Sequence, residues 1–238
     1  MAVAGVIVGE ILALLTKLAQ PGVSTAELDA AAEDHIRGRG ALPAFKGYNG
    51  YPASICASLN NEVVHGIPSP ERKLHAGDLL SLDVGARING WNGDAAVTVP
   101  VGAVDSEGRR LLAVTQASLE AAIALVKPGA QLGTICHAIE TCATAAGFSV
   151  VREWVGHGIG RQMHEEPQIP NYGEPGTGPR LAVGMVLAIE PMVNTGGFRT
   201  RVLGDNWTVV TADGSRSAHF EHIVAVTAQG ARILTVAG

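Results

Sequence analysis

The sequence predicts one α/β (α+β) domain over residues 1–238, made of two α-α-β units related by a pseudo-twofold, with helices covering one face of a mainly antiparallel sheet. Three observations carry this. The chain resembles itself at an offset of 107 residues. A Pro-Gly pair closes the first helical segment in each half. Strand-like apolar runs follow the paired helices in both. The halves are roughly 1–105 and 106–238.

Pro21-Gly22 maps onto Pro128-Gly129, Leu18 onto Leu125, Leu28 onto Ile135 and Ala31 onto Ala138. Further on, Leu79-Leu80-Ser81-Leu82-Asp83 maps onto Val186-Leu187-Ala188-Ile189-Glu190. The offset fails beyond that, so the second half carries a later insertion. Helices are expected at about 5–19 and 106–126, each ended by Pro-Gly. Second helices follow at about 24–38 and 132–146. The first of these opens on Ser24-x-x-Glu27, a capping-box pattern. A unit of 107 residues is too long for a solenoid repeat.

The repeat makes Asp83 and Glu190 equivalent acids, each following four apolar strand residues. An Asp inside LLSLDV is not turn chemistry, and once buried it needs a partner or a metal. Residues 79–87 and 91–98 read as a hairpin closed by Asn89-Gly90. That turn pairs 88 with 91 and 85 with 94, which makes Asp94 a diagonal neighbour of Asp83, within ~7–8 Å. Alone, Asp94 after Asn92-Gly93 also reads as a turn acid. Two carboxylates on one buried face raise each other's pKa, and a cation between them removes the conflict.

His157 and His164 sit seven apart in a Gly-rich stretch, where glycine lets the backbone approach a ligand. By themselves they are as compatible with a structural role as with a catalytic one. In Ser217-Ala218-His219-Phe220-Glu221-His222, alternation puts His219 and Glu221 on one face, with Phe220 and His222 on the other. His65, leaving a short apolar run, reads alone as a core histidine. Together these segments supply four carboxylates, whose charge two divalent cations would neutralise. An oxygen-rich set with one or two imidazoles suits Mn, Fe, Co or Mg better than a sulfur-rich zinc site.

Other classes are excluded on composition. Net charge is −5, with no basic run to track a phosphate backbone, so nucleic acid is not an expected partner. The apolar opening is interrupted by Glu10 and is too short for a membrane span. Cys56, Cys136 and Cys142 form neither a CxxC pair nor an even set, which fits a reducing cytoplasm.

The chain resembles type I methionine aminopeptidases, of the pita-bread fold, over essentially its whole length. The resemblance is carried by NNEVVHGIP (60–68), SLDVGARINGWNGDAAVT (81–98), GHGIGRQMHEEPQIPNY (156–172), AIEPMV (188–193) and NWTVVTADGSRSAHFEHIVAVT (206–227). The pita-bread fold is itself an internal duplication. Between His157 and Glu190 there is no room for the long helical insert of type II.

The resemblance implies two divalent ions, drawn from Mn, Co, Fe, Zn or Ni. Asp83 would hold one, Asp94 and Glu221 would bridge both, and His157 and Glu190 would hold the second. Glu190 would also shuttle the proton. His164 would steady the carbonyl oxygen, and His65 would assist the leaving amine. A methionine-sized pocket would be lined by Tyr48, Tyr51, Cys56, Met163, Trp207 and Phe220. The implied substrate is the N-terminal peptide of nascent proteins with a small second residue, met near the ribosome in the cytoplasm by a monomer.

The chain departs from the family pattern at Met163, where many members have Phe, at Ile223, where many have Thr, and at His219, where others often have Gln. Two rival readings share the fold: a peptidase cleaving Xaa-Pro bonds, and a metal-free peptide-binding module. The first usually carries a large N-terminal domain, and the second loses ligands that are all present here.

Overall fold

The computed structural model describes residues 1–237. The four helices are α1 (Ala2–Leu18), α2 (Thr25–Gly38), α3 (Ser106–Ala124) and α4 (Leu132–Ala145). Helix α1 buries Ala4, Ile7, Val8, Ile11 and Leu15, the spacing of a single helical face. Glu10 turns outward to Arg39 and His35. Helix α2 starts as the capping box requires. The Glu27 N–H donates to Ser24 Oγ, and the Glu27 carboxylate accepts from the Ser24 N–H at 2.8 Å. Ser24→Ala is expected to remove about 1 kcal/mol of stability, seen as a lower urea midpoint with an unchanged slope.

Every strand pairing among the described residues is antiparallel. The hairpin strands Leu79–Ile88 and Trp91–Pro100 pair with Ile88 opposite Trp91 and Gly85 opposite Asp94, the register expected from the turn. Asn89 and Gly90 both have positive φ, as a two-residue hairpin turn demands. Helix α1 lies on this hairpin so closely that a Cβ on Gly93 would sit 2.7 Å from the Ala4 carbonyl carbon.

The pseudo-twofold is written in hydrogen bonds. Gly22 N–H donates to Leu74 O and Gly129 N–H to Leu181 O, both at 2.8 Å. Isolated bridges Ser24↔Lys73 and Gln131↔Arg180 repeat the same offset. Leu79 pairs with Pro100, and its counterpart Val186 pairs with Ala225. The offset is therefore 107 on the outgoing strand and 125 on the returning one. The 18 extra residues fall between the strands Val186–Ile189 and His222–Thr227. That stretch also holds the short strands Met192–Asn194, Thr200–Val202, Val209–Thr211 and Ser217–His219. On this mapping Ala96 corresponds to Glu221 and Asp94 to His219. Glu221 N–H donates to Ala96 O at 2.8 Å, so the halves are joined at equivalent residues.

Two cores follow from the duplication. One packs α1 and α2 on the first hairpin, through Ile7, Ile11, Leu15, Leu28, Leu80 and Leu82. The other packs α3 and α4 on the second set of strands, through Leu111, Leu119, Ile135, Ile139, Leu187 and Val224.

Two local expectations change. The residues around His157 are not a ligand-facing loop, because Gly156–Gly158 is a strand in a five-stranded sheet. Its glycines answer to neighbouring backbone: a Cβ on Gly156 would sit 2.4 Å from Ala188 O, and one on Gly158 2.2 Å from Glu166 O. The run from Ser217 to Val224 is also not one strand. It breaks at Phe220-Glu221, between Ser217–His219 and His222–Thr227.

Candidate metal centre and active site

The two halves meet over a cavity of about 360 Å³. Asp83, Asp94, His157, Glu190 and Glu221 line one wall. Asp83 and Asp94 come from the first hairpin. His157 comes from the Gly156–Gly158 strand. Glu190 follows the strand Val186–Ile189, and Glu221 sits at the strand break. All five residues expected to bind metal are thus brought together, and the equivalent acids Asp83 and Glu190 both face the cavity.

No Lys or Arg pairs with any of these four acids among the described residues. Their ionic contacts are to imidazoles alone. His157 Nε2 lies 4.0 Å from Asp94 Oδ2 and 3.7 Å from Glu190 Oε1, and His219 Nε2 lies 3.4 Å from Glu190 Oε2. His157 Nδ1 lies 2.8 Å from the carbonyl oxygen of Gly158. A carbonyl can only accept, so Nδ1 carries the proton and Nε2 offers a lone pair to the cluster.

The electrostatics of this wall are unfavourable without a cation. Burial pushes the Asp83 carboxyl up to about 7, with the Glu190 charge adding to it and His219 opposing. Burial raises Asp94 well above the carboxylate range, reinforced by the Asp83 and Glu190 charges. Glu221 is raised well above its usual value by burial, then by Asp94, Glu190 and Asp83. Asp83 Oδ1, Asp94 Oδ1, Glu221 Oε1 and His219 Nε2 are buried with no hydrogen-bond partner. Donor atoms of Asp94, His157 and Glu221 lie within 4.8 Å of one another. Unpartnered buried oxygens with a lone-pair nitrogen beside them are a fitting donor set for divalent ions.

A pH dependence follows. A carboxyl whose folded pKa lies above its unfolded value of ~3.9 supports the fold when protonated. That support is lost as pH rises through the folded pKa. Burial depresses His65 to about 4 and also lowers His164 and His222. Those histidines favour the fold above ~6.5 and lose that contribution as pH falls. Above ~6.5 the raised carboxyls of Asp83, Asp94 and Glu221 are opposed by one group, the Met1 amine, which burial lowers from its ordinary value. The carboxyls outnumber it, so metal-free protein should lose stability as pH rises from about 6.5 to 8, by up to ~1.4 kcal/mol per pH unit for each net proton retained. Urea denaturation across that range measures it, and Asp94→Asn should flatten the slope.

The rest of the lining is largely apolar and aromatic. Tyr48, Tyr51, Cys56, His65, Met163, His164 and Trp207 all line the cavity. Cys56 sits opposite Asp83 in the sheet register. Tyr51 is pinned through its hydroxyl, which lies 3.0 Å from Ile55 O and 3.1 Å from Gly66 O, and its ring meets Trp207 edge-on. Tyr48 Oη lies 2.7 Å from His164 Nδ1. His65 adopts φ 61°, a left-handed conformation that costs a non-glycine residue energy, and is held edge-on against Trp154.

Phe220 is the exception among the predicted wall residues. It does not line the cavity but packs in the α3/α4 core. The alternation noted in the sequence already put it on the face opposite Glu221, and the broken strand keeps that alternation. Phe45, Asn49, Val64, Glu153, Trp154, Val155 and Met192 also line the cavity and are not among the residues the sequence reading names. Met192 and Val155, each two residues from a metal-site residue, and Val64 and Asn49, beside His65 and Tyr48, have a local signal; Phe45, Glu153 and Trp154 have less.

Comparison with known proteins agrees with this geometry. The family model of metallopeptidase family M24 matches residues 1–228. The chain is 54% identical over 231 residues to methionine aminopeptidase 1 of Bacillus subtilis, covering 95% of this chain and 93% of that protein. It is 53% identical over 242 residues to methionine aminopeptidase 1 of Mycobacterium tuberculosis, covering 99% and 91%. The crystal structure of methionine aminopeptidase from Thermotoga maritima superposes with a TM-score of 0.98 at 48% identity, covering 99% of this chain and 95% of that one.

Proposed function

The chain belongs to metallopeptidase family M24, and from that premise we propose that it is a metal-dependent aminopeptidase removing N-terminal methionine when the second residue is small. The observation that carries this reading is a cluster of four acids, Asp94 and Glu221 buried and Asp83 and Glu190 half-buried, with no Lys or Arg partner among the described residues, at an aromatic and thioether-lined cavity.

Asp83 would hold one divalent ion, His157 and Glu190 a second, and Asp94 and Glu221 would be shared. A pair of ions so held would supply a water acidified toward ~7, which would serve as the nucleophile for the first peptide carbonyl. Glu190 accepts the proton released on attack and delivers it to the leaving nitrogen. His164 acts as a neutral donor, since burial and then His157 lower its pKa. A Tyr48 hydroxyl donating to Nδ1, 2.7 Å away, would leave the ring proton on Nε2 to donate to the developing oxyanion. Burial holds His65 neutral, at about 4, where it contacts the peptide beside the scissile nitrogen. Tyr51, Cys56, Met163 and Trp207 receive the methionine side chain, a flexible thioether suited to sulfur-aromatic contact. Crowding beyond that pocket restricts the second residue.

The implied substrates are the N-terminal segments of newly made proteins, met beside the ribosome in the cytoplasm by a monomeric enzyme. No helix among the described residues is long and apolar enough to cross a membrane.

The test is a peptide panel given to metal-loaded protein: Met-Ala-Ser, Met-Leu-Ser, Ala-Ala-Ser and an Xaa-Pro peptide. Release of Met from Met-Ala-Ser, with the other three left largely intact, is the expected result. Cleavage of the Xaa-Pro peptide in its place would assign the fold a different substrate.

A further inference from the structure

His219 is not among the residues lining the cavity. It is almost fully buried behind Glu190, with Nε2 lying 3.4 Å from Glu190 Oε2 and making no aligned hydrogen bond. The second-half insertion brings it there, at the position corresponding to Asp94 in the first half. Its backbone is locked. The His219 N–H donates to Thr98 Oγ1 at 2.8 Å, and the Thr98 hydroxyl donates to His219 O at 2.8 Å. That uses the one proton of Thr98, so the Ser81 hydroxyl, 2.7 Å away, donates to Thr98 in turn. The imidazole is therefore carried on a fixed backbone.

Glu190 by contrast is weakly held. Among the described residues no group donates an aligned hydrogen bond to its carboxylate. Its polar neighbours are His157 on the cavity side at 3.7 Å and His219 behind it at 3.4 Å. His157 presents a lone pair, which cannot donate. His219 is left as the one group placed to hold the carboxylate from the wall, at a separation a few tenths of an ångström beyond an ordinary N–H···O bond.

We propose that His219 is a positioning residue: its Nε2–H donates to Glu190 Oε2 and so directs the other oxygen, Oε1, into the cavity. This rests on the metal-centre reading above and adds to it the group that orients one of its carboxylates. Partners of ligating groups of this kind typically change metal affinity 10–100-fold when removed.

The test compares H219L, which has no donor, with H219Q, whose amide restores one. Co²⁺ is titrated calorimetrically into metal-free wild type and both variants. The weaker of the two binding steps is expected to lose roughly 10–100-fold in affinity in H219L and to recover to within a few-fold of wild type in H219Q. Unchanged binding in H219L would overturn the proposal, leaving His219 as core filling. Loss in H219Q equal to that in H219L would also overturn it, because the imidazole would then be a ligand in its own right. Wild type that binds no Co²⁺ would overturn the metal centre itself, which separates the two failures. A second readout stands if H219L does not fold. Zinc-loaded wild type labelled with ¹⁵N-histidine should show a downfield, slowly exchanging Nε2 proton that is missing in H219Q, and its absence from wild type would contradict the hydrogen bond.

Discussion

Asp94→Ala is expected to abolish loading of the shared metal position and to lower turnover by at least roughly 10³-fold, while the protein still folds. The size follows from the role. Activating the nucleophile through metal ions is worth several kcal/mol, and each 1.36 kcal/mol is tenfold in rate. The survival of the fold follows from the electrostatics. Asp94 is buried beside Asp83 and Glu190; burial first, and then their charges, drive its carboxyl toward the protonated form. Removing it takes away a desolvated carboxyl that metal-free protein must keep protonated, so near neutral pH the apo variant should unfold at a temperature equal to or above that of apo wild type. Metal addition should raise the wild-type midpoint and leave the variant's nearly unchanged, because a ligand stabilises only a state that binds it. Glu221→Gln should behave alike, as Glu221 shares the same neighbours. Full activity in Asp94→Ala would dismantle the two-ion assignment.

His164→Ala should show the opposite split. His164 lies beyond the acid cluster, with its ring centroid 4.3 Å from that of His157 and its Nδ1 on Tyr48. It holds no ion in this account. Metal content by elemental analysis should match wild type, while kcat falls by roughly 10²–10³, the usual cost of losing one oxyanion donor. Tyr48→Phe should produce a smaller loss of the same kind, since the ring remains but the hydroxyl that holds His164 Nδ1 is gone. A fall in metal content equal to the fall in rate would move His164 into the ligand set.

How far these residues could be read before the structure depended on whether their signal was local. The hairpin register followed from Asn89-Gly90, because a two-residue turn leaves no freedom in pairing. The duplication followed from one offset, and hydrogen bonds at Gly22 and Gly129 repeat it. The position of the later insertion could be bounded but not placed, because the returning strand His222–Thr227 shares little with its counterpart beyond being largely apolar. Phe220 shows two kinds of inference in conflict. Strand alternation turned it away from Glu221, whereas family resemblance put it in the pocket, and the fold followed alternation. Phe45 and Trp154 reach the cavity from loops distant in sequence, and no spacing rule reports which loops meet. The glycines around His157 carried a real signal whose cause was close packing of strands rather than approach to a ligand.

The most direct test of the account is reconstitution. The protein is stripped of metal and assayed on Met-Ala-Ser while Mn, Co, Fe, Zn and Ni are restored in turn, with bound ions counted per chain. The account predicts no release of Met from the stripped protein, recovery with at least one of these ions, and two ions bound at saturation. Release of Met by rigorously metal-free protein in the presence of a chelator would contradict it.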